Sequence, residues 1–98
     1  DLSLELEGIA PRRFTKGFEE LKMVLNEYFD KELELTFLSE EDNESLKESG
    51  MDNLVQCNVN YKDYDYNIDI YYLPMNTEKG IYVTEINVIT SYYKESKE

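Results

Sequence analysis

From Val55 to Tyr72 the chain changes character at every second residue. Val55, Cys57, Val59 and Tyr61 alternate with Gln56, Asn58, Asn60 and Lys62; Tyr64, Tyr66, Ile68, Ile70 and Tyr72 alternate with Asp65, Asn67, Asp69 and Tyr71. A period of two over this length describes two strands, each with one apolar and one wet face, close enough in sequence to form a hairpin. Pairing centred between Lys62 and Asp63 sets Val59 opposite Tyr66, Cys57 opposite Ile68 and Val55 opposite Ile70. A one-residue slip would set the apolar side chains against the polar ones, so the register is strongly specified. The turn spans two or four residues. Lys62-Asp63 lacks the Asn-Gly chemistry of a tight turn, which predicts the longer loop.

A sheet with one apolar face needs a cover. Phe14, Phe18, Leu21, Leu25, Tyr28 and Phe29 form one stripe on a 3.6-residue period, with Glu19, Glu20, Asn26, Glu27 and Asp30 on the other faces. The spacing predicts an amphipathic helix over about 14–31, with Pro11 upstream and Gly17 weakening its first turn. Further alternation predicts strands at Leu2, Leu4 and Leu6 before Gly8, and at Leu33, Leu35 and Phe37. After a turn from Pro74 to Gly80, Ile81 and Val83 hold one phase, and Ile86, Val88 and Tyr92 the other. A β-bulge near Thr84 and Glu85 returns both to one face. The tail from about Lys94 to Glu98 is charged and expected to fray. The expected architecture is a single α+β domain over residues 1–98, in two layers, with one main amphipathic helix on an antiparallel sheet of four to five strands.

Charge then bounds the function. Twenty-two Asp and Glu against ten Lys and Arg give a net charge of -12, with no His, no Trp and one Cys. The segment of about 39–53, read as an acidic loop or short surface helix, has Leu46 and Met51 as its only large apolar residues. Residues 32–53 carry eight acids against Lys47 alone. Such a chain repels nucleic acid and anionic membrane and is drawn to basic surfaces. Its one basic cluster, Arg12, Arg13 and Lys16, reads as local salt bridging at the start of the helix. Nine Tyr and four Phe supply core area, which argues against disorder. A lone Cys excludes an internal disulfide and a Cys-based metal cluster. It favours the cytoplasm. No apolar run reaches the length of a membrane span. The chain begins at Asp1 rather than Met, so an extracellular location after removal of a leader is the alternative.

The candidate chemistries are thin. Asp63, Asp65, Asn67 and Asp69 have the spacing that opens an EF-hand loop. Ile68 replaces its glycine, however, and Pro74 stands where the bidentate Glu belongs. The wet face of a strand explains the same residues. Cys57 has no His partner and falls on the apolar face, so it reads as a small buried hydrophobe rather than a nucleophile. Glu40, Glu41, Asp42 and Glu44 have little apolar surrounding to raise a carboxyl pKa for catalysis. No cofactor, metal or phosphate-binding loop is indicated.

What remains is an acidic surface interleaved with aromatic residues. The expected site is Glu40, Glu41, Asp42 and Glu44 for electrostatic steering, with Asp65, Asp69 and Tyr71 making closer contacts on the hairpin. The expected function is a non-enzymatic inhibitor in the basic groove of a nucleic-acid-acting enzyme, of the immunity-protein or phage counter-defence kind. Its partner would be a basic protein such as a nuclease. Helix-then-sheet order also suits an extracellular or lipid-anchored module similar in layout to cystatins, and a third reading is a homo-oligomer pairing through an exposed strand edge.

Overall fold

The computed structural model describes residues 2–9, 12–62, 64–76 and 79–92. Among these the chain runs α1 (Leu2–Ile9), β1 (Arg13–Phe14), α2 (Phe18–Phe29), β2 (Leu35–Phe37), α3 (Glu40–Glu48), β3 (Asn53–Tyr61), β4 (Tyr64–Pro74) and β5 (Ile81–Tyr92). It is a small α+β fold around a five-stranded antiparallel sheet of order β1-β5-β4-β3-β2. Among the described residues three helices accompany the sheet, and α2 is the longest of them.

The hairpin has the expected register, with Val55 opposite Ile70, Cys57 opposite Ile68 and Val59 opposite Tyr66. Its turn does not. Pairing continues to Tyr61 opposite Tyr64, which leaves two residues between the strands. Lys62 takes φ 52, the left-handed region that a tight hairpin turn requires. Its ammonium stands 5.1 Å from the centre of the Tyr61 ring, a cation–π contact that offsets part of that conformational cost. The bulge lies where the phase change puts it. Tyr71 pairs with Glu85 and Tyr72 with Val83, so Thr84 is the extra residue. Ile81, Val83 and Ile86 are thereby all buried on one side.

That side is the core. Val55, Cys57, Val59, Ile68, Ile70, Ile81, Val83 and Ile86 share one buried cluster with Leu21, Leu25 and Phe29 of α2, Leu6 of α1, Phe14 and Leu33. The α2 helix is shorter than its stripe. Phe14 is not part of it but sits in β1, opposite Ile81, and still faces the core at 1 % exposure. The break between them is Gly17, whose φ of 71 turns the chain before α2 begins. A Cβ there would lie 2.1 Å from the Lys79 carbonyl oxygen, so the turn before α2 can seat on the β4–β5 connection only with glycine. Glu19 and Glu20 occupy the first turn of α2, where the helix dipole favours acids. Glu20 also accepts the Lys16 backbone N–H. At the other end Asp30 adopts the left-handed conformation, and Asn26 Oδ1 accepts the Leu33 N–H at 2.8 Å.

Leu2 to Leu6 is a helix, not the expected strand. Leu2 and Leu6 are four apart, so a helix brings both to one face, and both pack into or against the core while Leu4 is exposed. A short Leu-x-Leu-x-Leu run satisfies either period, and tertiary packing decides. Arg12 fastens α1 to the sheet. Its Nη1 donates to the carbonyls of Val83 and Thr84, both at 3.1 Å, and its Nη2 lies 3.6 Å from Glu7. Arg12 thus serves the bulge and α1 rather than the start of α2. The acidic segment is also ordered as a helix over 40–48. Ser39 Oγ caps it by accepting the Asp42 N–H, and the acids of its first turn complement the dipole. The tail from 94 to 98 lies outside the described residues.

Candidate functional site

Strand alternation presents β3, β4 and β5 with a second face, opposite the core. Pairing arranges it in rows across the sheet: Leu54, Tyr71 and Glu85; then Thr36, Gln56, Asp69 and Asn87; then Asn58, Asn67 and Ile89. Asn60 and Asp65 pair beyond these. No Lys or Arg occurs anywhere in β2, β3, β4 or β5.

The rows are knit by side-chain hydrogen bonds. Gln56 Nε2 donates to Asp69 Oδ1 at 2.9 Å, and Asn58 Nδ2 donates to Asn67 Oδ1 at 2.7 Å. Asn58 and Asn60 also reach the Tyr66 and Tyr64 carbonyls. These bonds tie neighbouring strands and hold part of the carboxylate and amide set in place. The Tyr71 hydroxyl titrates above its usual range, first because burial removes it from water, then because Asp69 and Glu85 stand close. Asp69 and Glu85 lie diagonally across paired strands, a spacing of about 7–8 Å between such neighbours.

Asp65, Asp69 and Tyr71 therefore do share one face, as the alternation implies. Glu40, Glu41, Asp42 and Glu44 lie apart from them on α3, all exposed. Two contacts connect the groups. Asn43 Oδ1 accepts the Leu54 backbone N–H at 3.3 Å, where α3 packs on β3 and Leu54 is buried. The Thr84 hydroxyl lies 2.6 Å from Asp52 Oδ2 and 3.2 Å from the Tyr71 carbonyl; its one proton goes to the nearer, charged acceptor. The acidic helix is thus moored at the Leu54–Tyr71–Glu85 row. The sequence places Asp52 among the acids of the 39–53 segment but does not show its contact with Thr84, and it does not single out Asn43 or Glu85. Glu85 was within reach, since the bulge sets its phase, but the Asp52–Thr84 contact spans 32 residues and carries no local signal.

The other candidates resolve simply. Asp65, Asn67 and Asp69 lie on β4 in strand conformation; Asp63 is outside the described residues. Among the described residues no group of three or more His, Cys, Asp or Glu could hold a metal ion. Cys57 is 2 % exposed, and burial pushes its thiol up to about 11. No described helix is long and apolar enough to cross a membrane. No protein-family model, curated protein or solved structure significantly matches this chain.

Proposed function

We propose that the protein acts by binding rather than by catalysis, presenting its open sheet face and α3 to a basic protein surface. The partner fitting this chemistry best is a nucleic-acid-acting enzyme whose substrate groove is lined with Lys and Arg, which the protein would occupy as an inhibitor. The observation that carries the reading is a bonded polar face bearing Asp65, Asp69 and Glu85, on strands without a single cation. A basic groove meets attraction there and no like charge. In this reading Glu40, Glu41, Asp42 and Glu44 supply long-range attraction, while Tyr71, half-buried among Asp69 and Glu85, supplies apolar area at close contact.

Capture from the native host in stepped salt, followed by surface kinetics with the captured protein, tests this. Neutralising the four α3 acids should slow association and flatten its salt dependence, and Tyr71→Ala should instead speed dissociation. An association rate indifferent to both salt and the α3 acids removes electrostatic targeting and the inhibitor reading with it.

A further inference from the structure

The apolar face of the sheet is not covered to its edge. β2 is the terminal strand: β3 lies on one side of it, and among the described residues no strand lies on the other. Leu35 and Phe37 pair with Cys57 and Val55, two fully buried core residues, so they extend the core side of the sheet by one more strand. Yet Phe37 is 54 % exposed and Leu35 only half-buried. Between this strand and α2 runs a groove of about 360 Å³ lined by Phe18, Glu19, Lys22, Glu34, Leu35 and Phe37. Its aromatic wall is fixed. The Phe18 ring meets those of Phe37 and Tyr72 edge-to-face, each with centres 4.9 Å apart.

We propose that this edge and groove accept an extended, basic segment of a partner protein as an added strand. Such a segment would pair its backbone with β2, and every second side chain would fall on the groove side. The residue types follow from the walls. Phe18, Leu35 and Phe37 ask for aliphatic side chains at those alternate positions. Exposed Glu32 and Glu34 precede the edge, and Glu40, Glu41 and Asp42 follow it, so Lys or Arg fits between and beyond them. The same acids disfavour a second copy of this chain, because β2 against β2 would bring both acidic flanks onto their equivalents. This site is on the helix side of the sheet and does not depend on the open face being an interface.

The probe is a seven-residue peptide alternating Lys with Val and Leu, capped at both ends, titrated into the intact ¹⁵N-labelled chain. Backbone amide shifts should move at Leu35, Thr36 and Phe37 and at Phe18 and Lys22 across the groove. N-methylation of alternate peptide nitrogens, which removes the donors that pair with β2, should weaken binding by about tenfold or more. Phe37→Ser should do the same by removing an apolar anchor. That side chain is more than half exposed, so the variant keeps the fold, and the wild-type shift map stands without it. Several outcomes overturn the proposal: shifts confined to α3 or to Asn58, Asn67 and Asn87; equal binding by the N-methylated peptide or by its Glu-for-Lys counterpart; no movement at β2 up to millimolar peptide; or sedimentation showing that β2 is already taken up by a second copy.

Discussion

The two sides of β3 and β4 are made of interleaved residues and have opposite fates. Val55, Cys57, Ile68 and Ile70 are at most 2 % exposed beneath α1 and α2. Gln56, Asn58, Asn67 and Asp69, one residue along in each case, hydrogen-bond across to the neighbouring strand and stay in contact with solvent. Core-facing and solvent-facing side chains are therefore separated by a single step along the chain. If the open face is the interface proposed above, substitutions at the buried residues of β3 and β4 should act through the fold, and those at the exposed carboxylates of the open side chiefly through binding. The largest expected effect tests the covered side. Leu25 is 1 % exposed and central to the stripe of α2. Leu25→Ala should cost about 2–5 kcal/mol in a urea titration. A change near zero would mean that α2 does not hold the sheet.

Gly17 marks the border of that side. Alanine there would need both a left-handed backbone and a Cβ 2.1 Å from a carbonyl oxygen of the β4–β5 connection. Gly17→Ala should destabilise by about 1–3 kcal/mol. Amide exchange should quicken around Phe14 and Ile81 before it does around Cys57 and Ile68. Uniform loss of protection would instead mean that β1, α2 and the hairpin unfold as one unit.

The covered side also has a chemical signature. Burial raises the Cys57 thiol from 9.0 to about 11, and a hydrogen bond to Glu5, followed by burial, raises the Tyr28 hydroxyl from 10.0 to about 12. In both cases the folded state favours the protonated form. The stabilisation is complete below the unfolded values and is lost as pH rises through the folded ones. Urea midpoints should hold up to about pH 9 and fall from there to about pH 12, and Cys57→Ala should remove the part of that fall between about 9 and 11. Alkylation of Cys57 at pH 8 should track global unfolding. Labelling as fast as a free peptide thiol would place Cys57 outside the core.

How much of this was readable without coordinates depended on whether a residue's role was set by its neighbours in sequence. The hairpin register was legible because eight alternating positions on the first strand and nine on the second agree, and the Thr84 bulge because the phase reverses once. Asp65, Asp69 and Tyr71 followed from the same alternation. Leu2 to Leu6 misled because three leucines satisfy two periods, and only the core decides between them. Phe14 fits the stripe of α2 but is cut from it by Gly17, whose constraint is a carbonyl 62 residues away. The tight turn at Lys62 was unexpected because nothing in Lys-Asp announces a left-handed residue, while cross-strand pairing up to Tyr61 and Tyr64 imposes one. Asn43, Asp52 and the groove beside Phe37 depend on where α3 and β2 come to rest, which no local pattern records.

The smallest expected effect belongs to the open side, and it is the sharpest test of the separation. Asp65 and Glu85 sit on strands that contain no cation, within a chain of net charge -12. Their charges meet no counter-charge on those strands, and Glu85 adds to the field that disfavours ionisation of Tyr71. The double variant Asp65→Asn, Glu85→Gln keeps side-chain size and removes two like charges. Its stability should stay within about 0.5 kcal/mol of the parent. Any change should be a small gain at low ionic strength that fades as salt screens the remaining acids. Urea titrations at two salt concentrations measure this directly. A loss of more than about 1 kcal/mol would mean that these carboxylates are structural, as an unsatisfied or broken hydrogen-bond network would make them. The open face would then be part of what holds the sheet together, and the division between a side that folds and a side that is free to bind would not stand.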